Sequence, residues 1–402
     1  VGIELSFGAA DALLEAALGG RFGPVAAATG VGPTSTANYG MAAGGTAFAP
    51  RHLVRGSGFA NAGNNGLHRV ASATATEVTV AGTPLVVEAG GAGKSIRAVG
   101  FEGATGDVTA TATGLAATAL DFTTLGLRIG QWIAIGGAAA GQRFATATNN
   151  GWARIVAIAP GALTLDHRPA GWATDAGAGK TIRVFMGDVL QNGVEEISLS
   201  IERAHADIGQ VLLFRGQMAR QMRLSVATGR ILEATFDFLG KDALRGTASF
   251  GTGAPVAAGT APVMNAVGNV VLIREGGGTA GIVRELSVSI DNNLRPLKAV
   301  GTLGNVAIGT GDAAVTGTLE AYFEDGTLYD KYLTATETTL SVVVAEGGRA
   351  YVVTLPRVKL AGGRIEAGQR NADCMLRFDL MGCRDPLTGA SIQIDRVPEF
   401  GA

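Results

Sequence analysis

Residues 194–238 carry a strict alternation of apolar and polar side chains that returns later in the chain, and any fold must satisfy both stretches. Ile197, Leu199 and Ile201 alternate with Glu196, Ser198, Ser200 and Glu202, the period-two signature of a strand packed on one side. Met222, Leu224 and Val226 predict a second strand. Ile231 through Phe238 predict a third, with Phe236 and Phe238 on a common face and Thr228–Gly229 turning the chain before it. From residue 283 the pattern is stated again: Leu286, Val288 and Ile290 alternate with Glu285, Ser287 and Ser289. Gly301 closes the following loop as Gly216 does, Thr310–Gly311 stands where Thr228–Gly229 stood, and Thr318 follows as Thr235 did. The reading is one β unit used twice.

A chain of 402 residues has room for two or three domains, each with its own core. Its 61 glycines follow no Gly-X-Y period and fall between β-prone runs, which excludes collagen-like and disordered classes. A formal charge of −2 gives no bulk attraction for nucleic acid and no polybasic reach toward a membrane. No apolar run of spanning length occurs. The amino terminus places Glu4, Asp11 and Glu15 where a secretory signal would be basic and then apolar, so no leader is expected. Cys374 and Cys383 permit a disulfide without demanding one, and the reading taken is a reduced, cytosolic origin.

Taken in order, residues 10–18 predict a helix stopped by Gly19–Gly20, with Leu13, Leu14 and Leu18 at helical spacing. A helix so short must dock on something, its own domain or a neighbouring subunit. Residues 21–50, punctuated by Gly23–Pro24, Gly32–Pro33 and Gly44–Gly45, read as an extended arm tied down by a partner. His52, Arg55, Asn61, Asn64, Asn65, His68 and Arg69 read as an exposed polar loop. From 71 to 180 short strands and turns predict a small β barrel or sandwich inserted in the first unit. Residues 181–188 restore strong alternation, 239–262 read as a linker, and the second unit follows. It includes a short helix around Leu328, Tyr332 and Leu333, then strands at 339–346, 350–360 and 372–381.

Residues that could carry chemistry do not assemble into a motif. The four histidines, His52, His68, His167 and His205, match no zinc spacing; no metal or cofactor is expected. No GxSxG elbow or triad spacing occurs, so no catalytic residue is assigned. The string Gly90–Ser95 places lysine and serine after glycines but fails phosphate-loop spacing and precedes a strand, which makes it a hairpin turn. The carboxylates Glu195, Glu196, Glu202, Asp207, Glu320, Glu324, Asp325 and Asp330 read as a solvated face rather than a glycosidase pair. Acidic or neutral groups lining a passage would let a polyanion slide without sticking.

Glu196 through Arg203, the Phe214-Arg215-Gly216 that follows, and Ile231 through Ala243 resemble the tail tube proteins of long-tailed bacteriophages and related contractile and gene-transfer systems. The opening Leu5 through Gly20 resembles a subgroup whose chains carry two tube domains. The similarity is best over 181–242, fair over 265–400 and weak over 71–180. The resemblance implies a mainly β fold: two tandem tail-tube-like β-sandwich domains with short flanking helices, plus the inserted module. Residues 1–70 and 181–250 would form the first tube domain with its N-terminal arm, 71–180 the insert, and 251–402 the second tube domain.

It further implies self-association into trimeric, pseudo-hexameric rings stacked into a tube, with strand edges completed by neighbouring chains. Double-stranded DNA would pass through, terminator, tape measure and distal tail proteins would be partners, and assembly would occur in the host bacterial cytoplasm without a membrane anchor. Strands 194–203, 222–238, 283–290 and 314–323 would surround the lumen. Glu196, Ser198, Ser200, Glu202, Glu285, Ser287 and Ser289 would face it, opposite a core of Ile197, Leu199, Ile201, Leu286, Val288, Ile290, Phe236 and Phe238. Leu13, Leu14, Leu18, Phe214 and Arg215 would serve assembly, and 204–220 and 291–305 match the family's long inter-ring loop by position. The alternative is a β-rich virion decoration or adhesion protein binding a surface glycan or protein through 71–180.

Overall fold

The computed structural model describes residues 1–23, 25–368, 370 and 372–402; Pro24, half of the Gly23–Pro24 punctuation, lies outside them. The chain is mainly β, as expected. Its contacts divide it into two compact units. Residues 1–22, 190–346 and 353–394 form the first, and residues 23–189, 347–352 and 395–402 the second.

In the first unit the strands run Gly2–Glu4, Glu233–Leu239, Gln210–Ala227, Val283–Asp291, Ala314–Tyr322, Cys374–Gly382 and Arg349–Ala367. Met222 stands opposite Phe236 and Ile290, Leu224 opposite Ala234 and Val288, and Leu286 opposite Val226 and Leu319. All of these are buried, so the alternation read in the sequence is one face of a continuous sheet. Each such aliphatic side chain contributes about 1.5–3 kcal/mol on burial. A one-residue slip would turn all of them to the polar face, which pins the register.

Several expectations change here. Gln210–Ala227 is one strand of 18 residues, and 204–220 is a hairpin rather than a loop: Ser198–His205 pairs with the strand's first half and Glu233–Leu239 with its second. Gly216 (φ 58°) lies inside that strand and closes no loop. Ile197 is buried, but Leu199 and Ile201, out along the hairpin, are only half-buried. Phe236 is fully buried, whereas Phe238 is half-buried because Gly2–Glu4 covers the strand only as far as Thr235.

A repeat exists, placed differently from the one read in the sequence. Strand Gly2–Glu4, helix Asp11–Leu18 and strands Ser198–His205, Gln210–Ala227 and Glu233–Leu239 recur in order as Ala314–Tyr322, Thr327–Leu333, Thr338–Glu346, Arg349–Ala367 and Cys374–Gly382, with the same neighbours. Glu4 faces Glu233 as Glu320 faces Arg377, and Ser225 faces Glu233 as Arg364 faces Arg377. Val283–Asp291, matched in the sequence to 194–203, is instead the strand that joins the two copies by pairing with Gln221 through Ala227. Amphipathic strands share one period whatever sheet they enter, so alternation alone could not separate these roles.

Helix Asp11–Leu18 ends at left-handed Gly19 (φ 59°), whose N–H bonds Glu15 O, the expected glycine stop. Leu14, Ala16, Ala17 and Leu18 are buried in this chain, and Asn292 Nδ2 donates to Ala17 O at 2.9 Å. The helix therefore docks on its own unit. The second copy's helix sets Tyr332 against Phe378 with ring centres 6.1 Å apart.

The second unit takes in residues expected elsewhere. Asn38–Gly40 pairs with Glu77 through Thr79, Ala27–Thr29 with Ser95 through Arg97, and His52–Ser57 lies between Leu67–Ala73 and Ser95–Glu102. Ala27–Thr29, Gly32–Pro33 and Asn38–Gly40 thus enter a sheet rather than form an arm, and a boundary at 70/71 would cut a strand. The insertion runs from 23 to 189. Its early strands are too short and small-residue-rich to show a period; Tyr39 anchors one, buried against Phe59 (5.7 Å) and donating to Asn64 O (2.8 Å). His52 and His68 are buried in strands, not exposed in a loop, and that burial lowers the pKa of both.

This unit is itself a duplication that the alternation did not reveal. Phe59-Ala-Asn-Ala-Gly-Asn-Asn-Gly66 returns as Phe144-Ala-Thr-Ala-Thr-Asn-Asn-Gly151, and Gly91-Ala-Gly-Lys-Ser-Ile-Arg97 as Gly177-Ala-Gly-Lys-Thr-Ile-Arg183. Their hydrogen bonds return too. Asn65 Oδ1 accepts from Phe59 N–H at 2.9 Å and Asn150 Oδ1 from Phe144 N–H at 2.9 Å. Asn64 brackets Val86 through N–H and C=O, as Asn149 brackets Ala173. The Lys94 and Lys180 amides close turns on Gly91 and Gly177, so the glycine-lysine string is a turn feeding a strand in both repeats.

Candidate assembly surface

Side chains directly opposite one another across a ladder share a face. The residues alternating with the buried set of the first unit therefore form a second, polar face: Glu233, Thr235 and Asp237; Arg223 and Ser225; Ser287, Ser289 and Asp291; Thr316, Thr318 and Glu320; Arg377 and Asp379. Hydrogen bonds tie it across strands. Ser287 Oγ and Thr318 Oγ1 are 2.8 Å apart, Gln221 Nε2 donates to Ser289 Oγ at 3.1 Å, and Ser289 Oγ donates to Met222 O at 3.0 Å. Glu320 pairs with Arg284 at 3.1 Å and with Arg377. The Glu320 hydrogen bond, then its charge, raises the pKa of the Arg377 guanidinium. Such a face is hydrophilic and carries both signs, with Arg284 and Arg377 held by Glu320 and with Arg223 exposed.

Of the residues expected to face a lumen, Glu285, Ser287 and Ser289 belong to this face, although Ser287 is buried beneath its neighbours rather than solvated. Glu196, Ser198, Ser200 and Glu202 are exposed on and before the outlying hairpin strand. Glu202 there accepts from Phe250 N–H (2.8 Å) and Ser249 Oγ (3.2 Å). Sequence reading missed Arg223, Ser225, Glu233, Thr235 and Asp237, which take that place in the first copy; their own alternation with Met222, Leu224, Ala234 and Phe236 held the signal. Among the residues assigned to assembly, Leu14 and Leu18 are buried in this chain, Leu13 and Phe214 are half-buried, and Arg215 is exposed. Arg215 Nε donates to Asp242 Oδ1 at 2.7 Å, and that bond depresses the Asp242 carboxyl.

The sheet also has unfinished margins. Gly2–Glu4 ends the strand order. Residues 358–367 pair on one side with Cys374–Gly382, and from Arg364 to Ala367 they are exposed. In the first copy the matching stretch, Gln221 through Ala227, is covered by Val283–Asp291. The loop between the short strands Arg295–Leu297 and Ala307–Gly309 exposes Leu297, Val300 and Leu303.

A cleft of about 520 Å³ in the first unit is lined by Gly19, Glu195, Met218, Asn292, Asp312 and Arg384 among others, but Glu195 is held by Arg21 and Arg384 Nε donates to Gly389 O. Among the described residues no group of three or more His, Cys, Asp or Glu could hold a metal ion, and no helix is long and apolar enough to cross a membrane.

An antiparallel sheet with one buried face, one polar face and an exposed margin is a β architecture with an edge free to pair with a further strand. The chain matches the family model of phage tail tube proteins over residues 1–382 and belongs to that family. No individual curated protein matches it. Membership makes it a structural component of a phage tail.

Proposed function

We propose that this chain polymerises into stacked rings whose bore conducts double-stranded DNA during delivery, and that its two sheet copies are two tube domains, so that three chains make a pseudo-hexameric ring. The observation that carries the reading is the joint within the chain. Val283–Asp291 seals this margin in the first copy, while the equivalent margin in the second is exposed from Arg364 to Ala367 and would await a neighbouring chain. The polar face would then line the bore, where Glu233, Asp237, Asp291, Glu320 and Asp379 stand beside Arg223, Arg364 and Arg377 and offset the cations that DNA would bind. The insertion falls in a connection, between helix Asp11–Leu18 and strand Ser198–His205, that the second copy spans with residues 334–337, so the ladder continues across it. Terminator, tape measure and distal tail proteins would cap and fill such a tube, assembled in the host cytoplasm.

Negative-stain electron microscopy of the purified protein tests this. Hollow polymers about 100 Å wide are expected, on the order set by ~10 Å sheet layers around a DNA-sized bore. Monodisperse particles that bind glycan would instead favour a decoration or adhesion protein.

A further inference from the structure

We propose that the 100–102 end of strand Ser95–Glu102, whose other end is paired with Ala27–Thr29, is a self-complementary pairing edge whose natural partner is a second copy of the same repeat, and that the duplication inside this chain occupies that edge in cis. The second unit's sheet reads Gly32–Pro33, Asn38–Gly40, Glu77–Ala81, Leu67–Ala73, His52–Ser57 and Ser95–Glu102, then Arg183–Met186, Trp132–Ile135, Gly151–Ala159, Ala162–Asp166, Gly114–Ala116 and Thr109–Thr111. Each strand on this path in the first half has its counterpart in the second, in mirrored order, while Ala27–Thr29 lies off it against Ser95 through Arg97. The halves meet antiparallel, with Glu102 opposite Arg183, Phe101 opposite Val184 and Gly100 opposite Phe185. This is the arrangement of two copies of one fold about a two-fold axis.

The charges at the joint obey the same symmetry. Arg97 and Arg183 are equivalent, as are Glu102 and Asp188, and the pairs cross the axis: Arg183 Nε to Glu102 Oε2 at 2.8 Å, and Arg97 Nη2 to Asp188 Oδ2 at 2.5 Å. Both acids are largely buried, so an unmatched partner there is costly. Each repeat thus carries an arginine and an acid at one spacing along its edge strand. Two copies of the first repeat would satisfy the same contacts, Arg97 with Glu102 in both directions. Arg69 also approaches Glu102 (3.4 Å), and Arg396 also pairs with Asp188. The sheet's outer margins are blunted by the very short strands Gly32–Pro33 and Thr109–Thr111. Sealing the central edge in cis therefore removes the pairing site that would cross-link chains through this unit.

The test excises residues 104–189 from the full chain and joins Gly103 to Leu190. Gly103 and Val189 are equivalent, so the chain leaves the remaining repeat where it now leaves the second. With Ile365→Lys present in every chain to remove tube assembly, sedimentation equilibrium should show a pairwise association that the unexcised chain lacks. R97E or E102R in the excised chain should each weaken it about tenfold or more, whereas mixing those two variants, or combining R97E and E102R in one chain, should restore it. In the full-length chain the same double variant should do the opposite. It brings two acids together at Asp188 and two guanidinium groups together at Arg183, so hydrogen exchange over 95–102 and 183–186 should accelerate, and E102R/R183E should regain protection. The Arg69 contact is common to every E102R variant and cancels in these comparisons. Absence of pairing on mixing, or failure of E102R/R183E to regain protection, overturns the proposal. The second measurement holds even where the excised chain does not fold, and neither depends on tube assembly.

Discussion

Val226 and Ile365 occupy the same place in the two copies of the first unit's sheet, one residue beyond Ser225 and Arg364, yet Val226 is 6% exposed and Ile365 is 42% exposed. The difference is a neighbour: Leu286 stands opposite Val226. Ile365→Lys should therefore leave the thermal midpoint within about 2 °C while abolishing polymers, since an exposed edge charge blocks strand addition at little cost to the monomer. Val226→Lys should unfold the first unit. Equal loss of stability in both variants, by circular dichroism, would show that the 364–367 margin is already covered.

Leu286→Asp and Leu199→Asp should part company. Leu286 is buried against Val226 and Leu319, so a carboxylate there costs several kcal/mol. Leu199 is half-buried on the hairpin and its variant should lose on the order of 1 kcal/mol. Urea midpoints of the two variants measure the gap.

Removal of residues 2–18 should destabilise the first unit and not merely impair assembly. The helix buries Leu14, Ala17 and Leu18, and Asn292 caps it through Ala17 O; Asn292 would lose that acceptor. Differential scanning calorimetry should show one lowered transition, while a variant with unchanged unfolding and lost polymers would restore the assembly role read from the sequence.

Asp166 predicts an acid-sensitive term in the second unit. Burial pushes its carboxyl up, but the hydrogen bonds from Arg154 and His167 outweigh that and hold it at about 2. A depressed folded pKa means that the stabilisation is present above the unfolded value near ~3.9 and fades as pH falls toward 2. With about a third of the side chain exposed, the term should be on the order of 1 kcal/mol. Arg154→Met should flatten the dependence of the urea midpoint between pH 4.5 and about 2.5; an unchanged slope would rule the pair out as its source.

Cys374 and Cys383 should remain unlinked to each other. They lie at the start and just past the end of the extended strand Cys374–Gly382, which at ~3.4 Å per residue sets them about 30 Å apart, well beyond disulfide reach. Both thiols should react with maleimide under non-reducing, denaturing conditions, and a product lacking one label would contradict the strand.

The local elements were legible because their signals are local. Alternation around Leu286, Val288 and Ile290 and around Leu376, Phe378 and Leu380 follows from the two-residue period of a strand; Gly19 stops its helix and Gly229 its strand through backbone freedom at positive φ. The duplication around Asn64–Asn65 and Asn149–Asn150 was equally present in the letters, but a search for alternation passes over identities in loops. What the letters could not hold is adjacency. Whether Val283–Asp291 copies an earlier strand or joins two sheets, whether residues 23–50 reach outward or enter a sheet, and whether Leu18 meets its own chain or another all depend on hydrogen-bond partners far away in sequence. The chain by itself determined which side of each strand is apolar, since that is set residue by residue; only the tertiary structure decided which strands meet and which margin is left open, because backbone hydrogen-bonding groups are the same at every residue and pairing selects among them only when the whole sheet packs.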